Sequence, residues 1–147
     1  MDKYESLKLE NQLCFPLYAC SKEIIRLYKP YLDKLDLTYT QYITMLIMWE
    51  HEKITSHELG EKLYLDSGTL TPLLKKLESK NYIKRERSKT DERNLNIELT
   101  IEGKKLKETA INIPSCICEC VPLDDEEKKI LSKTLNKLMS NLKCDNK

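Results

Sequence analysis

The stretch Ser67-Gly68-Thr69-Leu70-Thr71-Pro72-Leu73-Leu74-Lys75-Lys76-Leu77 decides the fold. Its four leucines recur at the spacing that places one apolar stripe on a helix, so the small polar residues and the lysines face outward. Beyond it, apolar residues alternate with polar ones around Ile83 and again over 95–99, which predicts two strands. The intervening residues 88–93 carry no apolar side chain. A polar-faced helix followed by a hairpin with a charged tip is typical of a winged helix-turn-helix that binds DNA.

The residues upstream complete the helix-turn-helix. Thr55-Ser56-His57-Glu58 has the pattern of a capping box, with Thr55 at the N-cap and Glu58 three residues later. A turn follows, and Ser67 is the expected N-cap of the next helix. Thr71-Pro72 would by itself favour a later start, because proline suits the first helical position. The leucine spacing favours the start at Ser67.

The charge distribution indicates which face meets DNA. Residues 75–93 contain eight Lys or Arg and four acids, whereas the whole chain has 25 basic and 24 acidic residues. A basic patch on a nearly neutral protein attracts phosphates, although most charged runs are simply solvated surface. The order of helix, turn, helix and wing favours DNA. The candidate DNA-binding residues are Ser67, Gly68, Thr69, Thr71, Pro72, Lys75, Lys76, Arg85, Arg87, Asp91 and Arg93.

Length and composition set the broad class. With 147 residues the chain is long enough for one domain with its own core. The first residues lack the apolar region of a signal peptide, and the longest apolar run, 43–49, is too short to span a bilayer. We therefore expect a cytoplasmic protein. Its six cysteines then argue for reactive thiols or a metal rather than structural disulfides.

The first long helix is expected over about 9–32. Cys20 lies on its apolar seam and is interpreted as a small core residue. Cys14 lies off that seam. Because Pro16 removes a helical hydrogen bond, the helix should bend or start late there, which leaves Cys14 near an open helix end where a thiolate is favoured. The seam consists of Leu9, Leu13, Leu17, Cys20, Ile24, Leu27 and Tyr31.

A second helix is expected over about 40–51, with Ile43, Leu46 and Ile47 as core candidates. Met45 and Trp49 are also expected to fill the core. The two histidines, His51 and His57, are isolated in sequence and are interpreted as surface or structural residues rather than metal ligands.

The C-terminal part supplies more apolar helical surface than one winged-helix module can cover. Thr100 should start a helix that Pro114 kinks, and the last helix has a leucine stripe. Burial against a second copy of the chain is the economical solution, and a twofold dimer suits a protein that reads two DNA half-sites. The stripe consists of Leu131, Leu135, Leu138 and Leu142.

Several of these strings resemble the MarR family of winged-helix regulators, and within it the organic hydroperoxide-sensing repressors. The resemblance covers about 7–142 and implies a mainly α fold with a small β-hairpin wing, assembled as a helical dimer. It implies one domain, 1–147, with about 9–33 and 101–143 forming the dimer and about 53–100 forming the DNA-binding lobe. The strings that carry it are 9–15 (LENQLCF), 28–30 (YKP), 37–39 (LTY), 64–72 (YLDSGTLTP) and 91–93 (DER).

The resemblance also implies roles for particular residues. Cys14 would be the peroxide-reactive thiol, Tyr28 and Tyr39 would hydrogen-bond it across the dimer, and Arg93 would enter the minor groove. Since Cys14 and Tyr28 are 14 residues apart, about 21 Å along one helix, they can meet only between subunits. The candidate resolving thiols are Cys118, Cys120 and Cys116. Two features depart from the family pattern, namely Pro16 and the crowding of these three cysteines, for which a zinc site is the alternative.

These observations predict a redox-sensing repressor that binds an inverted-repeat operator and releases it when an organic hydroperoxide oxidises Cys14. The sulfenic acid would condense with a second cysteine or a low-molecular-weight thiol. No cofactor, metal or membrane is expected, and the protein is not expected to be an enzyme. The alternatives are a regulator that answers to a phenolic ligand or another oxidant, and a thiol peroxidase in which Cys14 turns over.

Overall fold

The computed structural model describes residues 3–91 and 95–144, the last two of them by their backbone alone. Helices dominate this part of the chain, and a small antiparallel sheet lies in its middle. Two short 3₁₀ turns precede the first helix and one follows it. The elements are α1 (Cys14–Leu32), α2 (Tyr39–His51), β1 (Lys53–Thr55), α3 (Ser56–Leu63), α4 (Ser67–Ser79), β2 (Ile83–Arg87), β3 (Leu95–Leu99), α5 (Ile101–Ala110), α6 (Ile113–Cys120) and α7 (Asp125–Cys144).

The first helix starts later than position 9. Residues Glu5–Leu7 and Leu9–Asn11 form the 3₁₀ turns, and α1 begins at Cys14. Pro16 is therefore the third helical residue, where a backbone N–H would have no acceptor within the helix. Proline costs little at this position, and the late start predicted from Pro16 is confirmed.

Helix α2 buries Met45 and Trp49 as expected, and Ile43 and Ile47 are half-buried against the core. Tyr42, Met45, Met48 and Trp49 are buried, whereas Leu46 is exposed, so the assignment of Leu46 to the core was wrong. The capping box formed by Thr38 and Gln41 sets where the helix starts. The Trp49 indole N–H donates to the Gly103 carbonyl oxygen at 2.8 Å, which fixes this face against α5.

The helix-turn-helix forms as the sequence predicts, with one correction. Thr55 caps α3, and its hydroxyl accepts from the Glu58 N–H at 3.2 Å. The N-cap of α4 is Asp66 rather than Ser67, because the Asp66 carboxylate accepts from the Thr69 N–H at 2.8 Å and Ser67 is already helical. Helix α4 continues through Pro72.

The wing is the outer part of a three-stranded sheet. Strand β3 lies in the centre and pairs with β2 on one side and β1 on the other, in the order β1-β3-β2. Ile83 pairs with Leu99 and Arg87 with Leu95, which gives the predicted hairpin. The third strand, β1, was not predicted, since three residues are too few to show a period.

After the sheet the chain forms three separate helices. Thr100 caps α5 by accepting from the Gly103 N–H at 3.0 Å, as predicted. Pro114 does not kink a continuous helix. It is the second residue of α6, which starts afresh at Ile113, because proline is well tolerated in the first turn.

Apolar residues of the two longest helices stay exposed within one chain. Cys20 is exposed, so its assignment to the core does not hold within a single chain. The same is true of large apolar side chains along α1 and α7, namely Phe15, Leu17, Tyr18, Ile24, Ile25, Ile130, Leu131, Leu138, Met139 and Leu142.

Candidate DNA-binding and thiol sites

One face of α4 presents the predicted DNA-binding residues together. Leu70, Leu73, Leu74 and Leu77 are buried and hold the opposite face against the core. The outward face consists of exposed side chains of both polar and basic type, which suits base edges and phosphates. Its members are Ser67, Gly68, Thr69, Thr71, Pro72, Lys75 and Lys76.

Arg85 is engaged within the protein. Its Nε donates to the Glu78 Oε2 at 2.8 Å, and its backbone N–H donates to the Glu78 Oε1 at 2.9 Å. These bonds join β2 to the last turn of α4 and hold the pKa of the Glu78 carboxyl below its usual value. Arg85 thus fixes the wing relative to α4, and a direct contact of Arg85 with DNA stays a prediction.

The hairpin end carries the remaining DNA-binding candidates. Arg87 and Asp91 are exposed there. Ser88 organises the turn, since its hydroxyl lies 2.9 Å from the Thr90 hydroxyl and accepts from the Asp91 N–H at 3.3 Å. Arg93 lies outside the described residues, so its entry into the minor groove also stays a prediction.

Cys14 sits at the exposed start of α1. It is the first helical residue, and Leu13 before it provides no side-chain cap. The helix start therefore offers backbone N–H groups that lack helical acceptors, which favours a negative charge nearby.

Tyr28 and Tyr39 form one cluster at the other end of α1. Their ring centroids are 5.0 Å apart in an edge-on arrangement, and Tyr42 joins them 5.7 Å from Tyr28. Burial raises the pKa of Tyr28, and so does the neighbouring Tyr39. Burial raises the pKa of Tyr39 and, with both neighbours, that of Tyr42 to about 12. All three hydroxyls are therefore protonated donors at neutral pH.

Sequence reasoning missed Tyr42 as a member of this cluster. The available signal was its spacing, because residues three apart on a helix share a face, and Tyr39 and Tyr42 both lie on α2. The structure brings Tyr28 and Tyr39 together. It does not bring them to Cys14 of the same chain, because Cys14 and Tyr28 are 14 residues, or about 21 Å, apart along α1.

The three cysteines of α6 divide between two faces. Cys120 and Cys116 lie on the side of α6 near Tyr31, and the neighbouring Cys120 is the largest cause that raises the pKa of the Tyr31 hydroxyl. Cys118 is exposed on another side of the helix. Tyr31 is 17 residues beyond Cys14 on α1, about 26 Å. Cys14 therefore cannot approach Cys116 or Cys120 within one chain as folded here.

Together these features define a winged-helix DNA-binding regulator that carries cysteines on α1 and α6, outside the predicted DNA-binding surface. Residues 26–110 match the family model described as transcriptional regulator SarA/Rot. The chain is 50% identical over 141 residues, 96% of each chain, to the organic hydroperoxide resistance transcriptional regulator of Bacillus subtilis (strain 168). The chain belongs to the MarR-type winged-helix transcriptional regulators, in the group of the organic hydroperoxide resistance regulators.

Solved structures agree in fold. The reduced form of AbfR, a Staphylococcus epidermidis protein, bound to DNA is similar with a TM-score of 0.82, 35% identity and full coverage of both chains. The disulfide form of AbfR gives a lower TM-score of 0.61 at 37% identity, over 96% of this chain and 94% of that one.

Among the helices of residues 3–91 and 95–144, none combines the length and the apolar character that a membrane span requires.

Proposed function

We propose that this protein is a cytoplasmic, homodimeric repressor whose hold on an inverted-repeat operator ends when an organic hydroperoxide oxidises Cys14. The observation that carries the proposal is that the thiol and the hydroxyl groups that could stabilise its thiolate lie at opposite ends of α1. An exposed thiol lies at one end of α1, and a cluster of protonated tyrosine hydroxyls lies at the other. Antiparallel pairing of two copies of α1 would place each thiol beside the other subunit's tyrosines.

The chemistry needs only the peroxide and thiols. The Cys14 thiolate attacks one oxygen of the O–O bond, the peroxide is reduced to an alcohol, and the sulfur becomes a sulfenic acid. A second thiol then attacks the sulfenic sulfur and water leaves. Tyr28 and Tyr39 can donate hydrogen bonds that stabilise the thiolate. The second thiol is Cys116, Cys118, Cys120 or a small cellular thiol, and the reaction is stoichiometric rather than enzymatic.

The exposed apolar faces of α1 and α7 support the dimer. Such faces are stabilised when a second copy covers them, and a twofold axis would present two copies of α4 to successive major grooves. The structure of this chain is more similar to reduced AbfR on DNA, with a TM-score of 0.82, than to the disulfide form of AbfR, with a TM-score of 0.61. This difference supports the proposal that the reduced protein is the form that binds DNA.

The test measures operator binding by fluorescence anisotropy before and after one equivalent of cumene hydroperoxide. Wild type should be released, and Cys14→Ser should bind equally well and stay bound, because serine cannot form a sulfenic acid. Cys20→Ser is the matched control, since Cys20 is also exposed on α1, and it should respond as wild type does. Release of Cys14→Ser by peroxide would overturn the proposal. Sustained peroxide consumption with added reductant would instead indicate a peroxidase.

A further inference from the structure

A long-range ion pair joins the end of α4 to the turn before Tyr39. Lys80 follows the last residue of α4, and its Nζ lies 3.0 Å from the Asp36 Oδ2. The same Nζ also donates to the Asp36 carbonyl oxygen. The Lys80 side chain is 25% exposed and that of Asp36 is 89% exposed, and the two residues are 44 positions apart. Both a charge and a backbone group of the turn thus hold this lysine.

The turn around Asp36 is tied to the tyrosine cluster. Asp36 has a left-handed backbone with φ 51°, and the buried Leu37 donates its N–H to the Leu32 carbonyl at 3.0 Å. Thr38 then caps α2, whose first residue is Tyr39. Because only Leu37 and Thr38 separate Asp36 from Tyr39 and both are fixed, a displacement of Tyr39 carries Asp36 with it.

The end of α4 is likewise tied to the wing. Glu78, in the last turn of α4, holds Arg85 of β2. Asn81 accepts a hydrogen bond from the Thr100 hydroxyl at 2.5 Å, which connects the same end to the start of α5. Because of these contacts, a displacement of Lys80 would move the end of α4 and the wing together.

We propose that the Lys80–Asp36 pair is the positioning contact that carries the state of the thiol site to the DNA-binding surface. The inference rests on the proposed function. When the oxidised thiol displaces Tyr39, the turn moves Asp36, and Lys80 draws the end of α4 away from its position on DNA. Without Lys80, oxidation still occurs, but α4 keeps its place.

The experiment compares the operator dissociation constants of reduced and fully oxidised protein. The ratio of the two measures the coupling and cancels any change in basal affinity. Residues that carry coupling between sites change it by amounts equivalent to about 2- to 30-fold. Because the pair is largely exposed on its Asp36 side, we expect Lys80→Met to reduce the ratio by about 2- to 5-fold, at the lower end of that range. Mass spectrometry should show the same extent of Cys14 oxidation as in wild type.

Two further variants separate coupling from charge and from stability. Lys104→Met also removes one lysine charge and one long-range ion pair, that of Lys104 with Glu52 at 2.7 Å, but Lys104 lies on α5, so this variant should leave the ratio unchanged. Asp36→Asn keeps a residue that accepts the left-handed backbone but removes the ion pair. It should reduce the ratio less than Lys80→Met, because the Asp36 carbonyl still accepts from Lys80. The double variant should be no worse than Lys80→Met alone.

The outcomes distinguish the inference from the function beneath it. If peroxide releases wild type and Lys80→Met by the same ratio, the positioning role is overturned and the proposed function stands. Additive effects of Lys80→Met and Asp36→Asn would also overturn it, since the two residues would then act separately. If peroxide does not release the wild-type protein from the operator, both the proposed function and this inference are overturned.

Discussion

The predicted DNA-binding lobe (about 53–100, called the lobe below) and the terminal helices α1 and α7 use apolar side chains in opposite ways. In the lobe, the leucines of α4 are buried against α3 and the sheet within one chain. Along α1 and α7 most of the large apolar side chains are exposed in the same chain. The leucines of α4 therefore belong to the core that the chain forms by itself, whereas the terminal helices leave apolar surface that only another surface can cover.

Polar contacts at the helix starts separate the lobe from α1 but not from α7, where the Glu127 N–H donates to the Asp124 Oδ1. Side-chain caps fix the starts of α3 and α4, and Glu78 joins α4 to the wing, whereas α1 starts without a side-chain cap. The lobe is built to keep one shape. The start of α1 has no side-chain cap, which fits the proposal that a peroxide reaches Cys14 there.

The largest expected effect is in the lobe. Leu77 is 0% exposed, so Leu77→Ala should lower the free energy of unfolding by about 3–5 kcal/mol through lost burial and an unfilled cavity. Urea unfolding followed by circular dichroism measures this loss, which should be the same at every protein concentration. A loss below about 1 kcal/mol would mean that the core of the lobe is not as tightly packed as its burial indicates.

The same substitution on α7 should act differently. Leu138 is 39% exposed in the single chain, so Leu138→Ala should cost the chain itself under about 1 kcal/mol. If α7 lies in the dimer, the variant should weaken dimerisation about tenfold, equivalent to about 1.4 kcal/mol. Sedimentation velocity over a dilution series measures this change. An unaltered dimer dissociation constant would remove Leu138 from the interface.

The smallest effect concerns the link between α4 and the wing. Because the pKa of Glu78 is lower in the folded protein than its ordinary value of 4.5, the folded state takes up a proton less readily than the unfolded one. The stabilisation by Arg85 is complete above about pH 4.5 and is lost as the pH falls through the folded pKa. Since the pair is partly exposed, it contributes about 0.5 kcal/mol.

Glu78→Gln should therefore lower stability near pH 7 by about that amount. As the solution is acidified, the difference between the variant and wild type should shrink. Thermal unfolding at a series of pH values measures the difference, and a gap that widens towards low pH would contradict the assignment. Glu98→Gln is the control. The Glu98 Oε2 on β3 lies 3.8 Å from the Lys53 Nζ, a longer ion pair, so this variant should change the stability less than Glu78→Gln does.

The sequence by itself determined α4, the capping box at the start of α3 and the hairpin of β2 and β3. Leu70, Leu73, Leu74 and Leu77 face the core as their spacing predicts, and Thr55 and Thr100 cap the helices that they were expected to cap. These features depend on residues three or four positions apart, so a local pattern carries the information.

Only the tertiary structure decided which residues meet across the chain. It turned Leu46 outward, added β1 to the sheet, placed Tyr42 beside Tyr28 and paired Arg85 with Glu78. The Lys80–Asp36 contact spans 44 residues and has no sequence pattern that would show it. Such contacts are set by how the helices pack around a shared core, and the spacing of side chains along one helix does not specify which partner will lie opposite them.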